Sequence, residues 1–328
     1  MKKISSFYLS FFVVFIFSSC STQREMGSTS SKTYAEISVK VEGEWKDRKY
    51  EGGTFQNISS LIVPKQHTDH SYYIRYEGPG WESNIIGYRL YLDWRNAIDI
   101  FGKLNEERIL PKVGQDGFDS YHQMQPWGAD ILKVGKGLGI GSIGRIVNNE
   151  VLHFNEVEQT LVKVHNQKSK SKVQVQYNGW KTNNQVTNLT SELSIFPNDR
   201  ITEHTIQTSE KLDGICTGIV NLYQLPLIQK ISENGTWAYA ATYGKQTLFD
   251  DNLGMAIFYK VNNIEKVFTG KHDHLIQFKP TNKKITFYFL GAWEKEPNAF
   301  KNENEFFEYL NQKLLQLNAN NTLQHDKF

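Results

Sequence analysis

From Thr33 to about Pro297 the chain alternates apolar and polar residues in short runs, such as Ile37-Ser-Val-Lys-Val-Glu, Lys172-Val-Gln-Val-Gln-Tyr and Glu192-Leu-Ser-Ile-Phe. Arg200-Ile-Thr-Glu-His-Thr-Ile and Lys284-Ile-Thr-Phe-Tyr-Phe-Leu continue the pattern. Successive side chains of a strand point to opposite faces, so a period of two sends one face into a core. Gly, Asn and Asp turns break the runs, which predicts an all-β fold: a large antiparallel β-sandwich, supersandwich-like. One stretch has the helical period instead. Phe306, Phe307, Leu310, Leu314 and Leu317 recur at steps of three and four behind Asn302 and Asn304, predicting a short C-terminal helix over about 303–318 that clamps the sandwich. No repeat or long linker interrupts residues 33–328, so a single large domain is expected.

The N-terminus follows a different rule. Met1-Lys2-Lys3, an apolar stretch from Phe7 to Phe17 and Ser18-Ser19-Cys20 match a bacterial lipoprotein signal, too short to span a membrane in the finished protein. Residues 1–19 are expected to be removed and Cys20 lipidated, with 20–32 as a Ser/Thr-rich flexible tether. Ser21-Thr-Gln-Arg lacks an acidic run, which favours the periplasmic side over the cell surface. The membrane would be met through the lipid alone.

Composition narrows the partners. Thirty-seven Lys and Arg against 35 Asp and Glu leave a formal net charge of +2, which gives no reason to expect nucleic acid. Of the two cysteines, Cys216 lies in the apolar run Gly214-Ile-Cys-Thr-Gly-Ile-Val and is expected to be a buried small hydrophobe. Gly139-Ile-Gly-Ser-Ile-Gly144 matches GxGxxG, but Arg145 to Phe154 continues as a hairpin rather than a helix, which excludes a dinucleotide fingerprint. No cofactor is expected and no metal. His272 and His274 share a strand face at a metal-compatible spacing, yet such pairs arise often by chance.

Candidate chemistry concentrates in two segments. Tyr72 to Lys103 holds three arginines, two tryptophans and five tyrosines around a Gly-Pro-Gly turn. Read as strands, Tyr73, Arg75 and Glu77 share one face, while Tyr88, Leu90, Leu92 and Trp94 form a packing face opposite Arg89, Tyr91, Asp93 and Arg95. Arg75 and Arg95 are candidate clamps for a carboxylate or sulfate, and Trp81 is a candidate platform for a sugar ring. Cross-strand salt bridges with ordinary sheet aromatics are the alternative.

The second segment, Gln115 to Lys133, is loop-like and gathers Asp116, Asp119, Tyr121, His122, Trp127, Asp130 and Lys133. His122 and Tyr121 are candidate acid–base groups, Lys133 a candidate for lowering the tyrosine pKa, and Trp127 a second stacking surface. His67 and His70 lie just upstream of the arginines. His204 shares a strand face with Arg200 and Thr202. Tyr243 and Lys245 sit near a turn, and all five are candidate substrate contacts.

Five blocks carry a resemblance: RYEGPGWES from Arg75, YLDWRNAIDIFGK from Tyr91, DGFDSYHQMQPWGADILKVGKGLGIG from Asp116, ATYGKQ from Ala241 and AWEKEPN from Ala292. Over roughly residues 55–310 the chain resembles a Bacteroidota family long filed as a domain of unknown function. Its members accompany lyases and unsaturated-uronyl hydrolases in polysaccharide-utilisation gene clusters. The likeness extends to an oligosaccharide dehydratase acting on ulvan fragments.

That resemblance implies a carbon–oxygen lyase reaction. A proton leaves C5, alpha to the carboxylate of a non-reducing-end uronic acid, and the C4 hydroxyl departs as water, leaving a 4,5-unsaturated uronyl end. Such chemistry needs a neutralised carboxylate, a base at C5 and an acid at O4. Arg75 and Arg95, His122 and Tyr121, Lys133 or Lys245, and Trp81 or Trp127 would fill these roles, with base and acid left unassigned. The rival expectations are a polysaccharide lyase that cleaves uronate-containing glycans and a lipid-anchored glycan-binding protein without turnover. A mutarotase-like isomerase rests on fold analogy alone.

Overall fold

The computed structural model describes residues 32–116 and 120–323. The expected signal, Cys20, most of the tether and Asp119 lie outside the described residues. Within them, 20 strands form three antiparallel sheets, followed by one α-helix, and no helix is long and apolar enough to cross a membrane. The first sheet runs Lys49–Ile58, Thr33–Lys46, Gly80–Ser83, Ile86–Leu90, Ile98–Lys103, Gly128–Asp130. The second has nine strands: Ile228–Ile231, Trp237–Lys245, Asn252–Lys260, Ile285–Trp293, Ile201–Thr208, Gln185–Ile195, Ser171–Thr182, Gln159–Asn166, Ser60–Ile62. A third has Ile264–Thr269, Asp273–Phe278, Ile215–Val220, Ile140–Val147 and Glu150–Leu152.

Polar side chains bolt the nine-stranded sheet to the other two. Trp81 Nε1 donates to Thr202 Oγ1 at 2.9 Å, and the Tyr88 hydroxyl donates to the Arg200 carbonyl at 2.7 Å while accepting the Gly291 N–H at 3.0 Å. To the third sheet, His204 Nδ1 bonds the Gly141 carbonyl at 3.0 Å. Gly141 has φ +74, and a Cβ there would lie 2.2 Å from the Phe289 ring. The GxGxxG glycine therefore serves close packing, and Ile140–Val147 pairs in a hairpin with Glu150–Leu152 as expected.

Strand Ile285–Trp293 shows why its apolar run is nearly continuous. Phe287 and Phe289 face the core between sheets, whereas Tyr288 and Leu290 face the C-terminal helix, so both faces are covered. That helix spans Glu303–Asn320, starts where Asn302 Oδ1 accepts the Glu305 N–H at 3.1 Å, and ends at Asn321 in the left-handed region. Phe306, Leu310, Leu314 and Leu317 are its buried stripe.

Phe306 packs where Gly254 has no side chain, since a Cβ at Gly254 would sit 2.5 Å from the ring. The strand has nothing to collapse into the space, so Phe306→Ala should cost about 3–5 kcal/mol in chemical denaturation. A loss below about 1 kcal/mol would show that the helix is not part of the folded core.

Candidate active site

The outer face of the first sheet, turned away from the nine-stranded one, carries a buried charge cluster. Arg89 and Asp99 are directly opposed on strands Ile86–Leu90 and Ile98–Lys103, and Asp130 lies on the next strand opposite Phe101. Arg89 donates to Asp99 at 2.8 Å, Asp130 at 2.5 Å, and the hydroxyls of Tyr91 and Tyr121 at 2.6 and 3.2 Å. Tyr91 in turn donates to Asp99 at 2.8 Å. Arg89, Asp99 and Asp130 are each about 1% exposed at the side chain. Desolvating three charges costs several kcal/mol per ion, repaid only because each is closely bonded. Burial, then the neighbouring Asp130 charge, pushes Asp99 up to about 7.

One end of this cluster reaches solvent. His122 Nδ1 lies 3.0 Å from Asp130 Oδ2 with the side chain 38% exposed, and its ring centroid is 4.5 Å from that of Tyr121. The Asp130 hydrogen bond holds the His122 pKa above its ordinary value, against partial burial. Burial pushes the Tyr121 phenol up despite Arg89, so it stays protonated at neutral pH. The arrangement is a buried carboxylate orienting a half-buried imidazole beside a phenol, a geometry compatible with acid–base work.

A second arm extends from Arg95, which bonds Asp93, Glu77 at 3.2 Å and Asp69 at 3.0 Å and lies 4.0 Å above the Tyr91 ring. Burial, then contact with Asp69, pushes Glu77 up to about 7. His70, Tyr72, Tyr76 and Glu77 all have positive φ between 40° and 68°. Each such non-glycine residue costs on the order of 1–3 kcal/mol, and strain of this kind gathers at functional sites. Ligand atoms of Asp69, His70 and Glu77 come within 4.8 Å of one another, a metal-compatible grouping, but Arg95 already places its positive charge on both carboxylates. Beside Tyr121 opens a cleft of about 420 Å³ lined by Lys40, Phe55, Tyr72, Arg75 and Gln115 among others.

A family model described as Domain of unknown function (DUF4861) matches residues 16–321. The chain belongs to that family. None of the curated proteins compared with it matches.

In this DUF4861 domain the structure keeps some sequence candidates together and disperses others. His122, Tyr121, His67, His70 and Arg95 lie in or next to the cluster. His67 is buried, bonds Ser71 Oγ at 2.8 Å and is depressed to about 4 by burial, so it stays neutral. Arg75 is not on a strand: the chain turns through a short 3-10 segment, Arg75–Glu77, and its guanidinium is buried against Glu36, which also accepts from Tyr76 at 2.6 Å. Arg95 is likewise saturated by three carboxylates, so neither arginine is a ready clamp.

Trp81 is fully buried and stacked on Tyr88, and Trp127 is buried with Phe101 and Ile109, leaving neither as a sugar platform. Trp94, expected on a packing face, is 40% exposed because the strand ends at Leu90 and the period-two extrapolation stops there. His204 is buried, both ring nitrogens bonded to Ser191 and Gly141. Tyr243 packs on Phe306 under the C-terminal helix, and exposed Lys245 pairs with Asp250 at 2.8 Å. Lys133 is exposed, and the charges acting on Tyr121 are those of Arg89, Glu77 and Asp130 rather than a lysine. Cys216 is buried as expected, and both nitrogens of His274 are taken by Thr269 and the Leu225 carbonyl.

Sequence reading passed over Arg89 with Asp99 as a pair, and Lys40. The first had a signal: positions 89 and 99 are equidistant from Trp94, the centre of the turn. Lys40 had none, being one outward lysine of an ordinary alternating strand.

Asp130→Asn should lower the His122 pKa, followed by NMR titration of the imidazole with a melting curve as control. An unchanged His122 titration would break the link. Because the folded pKa is raised, the stabilisation from this contact is full below about pH 6.5 and is lost as pH rises through the elevated value.

Proposed function

We propose that the protein is a carbon–oxygen lyase that removes water from the non-reducing-end uronic acid of acidic oligosaccharides such as ulvan fragments. The observation that carries this reading is His122: a half-buried imidazole held by buried Asp130, itself fixed by Arg89, and packed on Tyr121, which lines the cleft. The C5 proton is very weakly acidic, and the carboxylate behind His122 strengthens it as a base. Tyr121, protonated, lines the cleft while its hydroxyl lies against Arg89 in the cluster, and it is the residue assigned to donate to the departing C4 oxygen. Lys40 replaces Arg75 and Arg95 as the partner for the uronate carboxylate, since it lines the same cleft and makes no ion pair among the described residues. The β-elimination then balances: His122 gains the C5 proton, the electron pair forms C4=C5, and hydroxide leaves as water with the Tyr121 proton.

Incubation with acidic oligosaccharides should give one product lighter by one water and a new ultraviolet absorbance from the conjugated double bond. Two fragments instead of one would mean chain cleavage by the same machinery, and no change on any uronate-ended substrate would favour a binding protein. His122→Ala and Tyr121→Phe should each lower kcat by about 100-fold to 10,000-fold with less effect on KM. With His122 as base, kcat/KM should rise with pH through an ionisation above 6.5, the usual histidine value, and a falling limb there would make it the acid instead.

If Cys20 carries lipid, the enzyme works at the periplasmic side of a membrane. Cys20→Ala should then move the protein to the soluble fraction on cell fractionation, and retention in membranes would exclude this anchoring.

A further inference from the structure

Trp94 stands on the Asp93–Arg95 turn, whose other two side chains enter the charge cluster. The indole instead borders a separate cavity of about 220 Å³ lined by Lys136, Glu150, His153, Lys271 and His272 among others. That volume is below the roughly 300–1,000 Å³ of drug-sized ligand sites and suits a single sugar ring. At 40% exposed, Trp94 contrasts with Trp81, Trp127, Trp180, Trp237 and Trp293, all buried. The indole is thus partly open to solvent at this cavity, where a flat apolar ring could cover it.

The turn holds Trp94 rigidly. Its carbonyl accepts the Phe154 N–H at 3.0 Å, the Arg95 N–H bonds Asp93 at 2.9 Å, and the Arg95 carbonyl bonds His153 Nδ1 at 2.9 Å. The indole itself meets the His153 ring edge-to-face at 5.5 Å. A tryptophan on fixed backbone is pre-organised to stack a ligand, since little entropy is lost on binding.

The surrounding charge selects the sign. Lys136 makes no ion pair among the described residues, and Lys271 lies 3.9 Å from Glu150 with both side chains at least 70% exposed. A contact that long and that wet contributes little and yields readily to a better anion. Asp273 on the wall is engaged by the Leu138 N–H at 2.8 Å and is raised to about 7 by burial, so it opposes an anion less than a full charge would.

We propose that this cavity is a second carbohydrate site that stacks one pyranose ring on Trp94 and takes its anionic group, carboxylate or sulfate, on Lys136 and Lys271. It stands whether or not the Arg89 face catalyses dehydration, because its test uses binding of sugars that need not react.

Protein labelled with nitrogen-15 at its seven tryptophans would be titrated with glucuronate, glucose 6-sulfate and glucose, following the indole N–H signals by NMR. Trp94→Phe identifies the resonance. The Trp94 signal should shift with an anionic sugar, and glucose should bind at least about tenfold more weakly, the loss expected for one charged hydrogen bond. A response to glucuronate alone assigns a carboxylate, to the sulfate alone a sulfated residue, and to both a general anion site. Lys136→Gln with Lys271→Gln, two surface changes that leave the fold alone, should weaken the anionic sugar at least about tenfold. The proposal is overturned if no anionic sugar moves the Trp94 signal, if glucose moves it equally well, or if the double lysine variant binds glucuronate as wild type does.

Discussion

The outer face of the first sheet depends on one guanidinium. Arg89 donates to Asp99, Asp130, Tyr91 and Tyr121 together, joining three neighbouring strands and the loop over them. Removing Arg89 would leave two buried carboxyls facing each other without a cation, which costs far more than the ion pairs themselves contribute. Hence the roof over it cannot be loose: Tyr121, Trp127, Ile109, Leu110, Val113 and Tyr76 close on Phe101 and keep water from the ions.

That roof is irregular chain, and buried carboxylates do for it what ladders do for strands. Glu82, on strand Gly80–Ser83, accepts the backbone N–H groups of Ile109 and Leu110 at 3.0–3.1 Å and holds Lys103 at 2.8 Å. Glu36 does the same for the strained segment by binding Arg75 and Tyr76. Loops pinned in this way keep their backbone polar groups satisfied while presenting side chains at fixed positions. Arg75 and Arg95, expected to grip a ligand, are thus part of the framework of this face, while Arg89 fixes the Asp130 that holds His122.

The proposed reaction and the proposed second site divide the surface by charge. Around Arg89 and Arg95 the carboxylates Asp69, Glu77, Asp93, Asp99 and Asp130 outnumber the cations, with Glu77 and Asp99 both pushed up to about 7. Burial and like-charged neighbours make these carboxyls hold protons more readily than exposed acids do. The Trp94 cavity, with Lys136 and Lys271, is suited to hold an anion. The Asp93–Arg95 turn contributes to both.

The period of two was enough to establish the class of fold, and the 3.6 period with Asn302 established the helix, because local alternation records which face of each element is buried. The same signal stopped being informative where strands end. Tyr73 to Glu77 alternates like a strand yet turns through positive φ, burying Arg75, and beyond Leu90 the alternation placed Trp94 inside when it is outside. The His122–Tyr121 loop was legible from its density of ionisable residues. Its partner Asp130 sits in the same stretch, but that Arg89 binds it across 41 positions was not. Tertiary structure alone decided which charges are buried together, since composition shows that arginines and acids are near in sequence, whereas pairing depends on sheet register and on the loops folded over it.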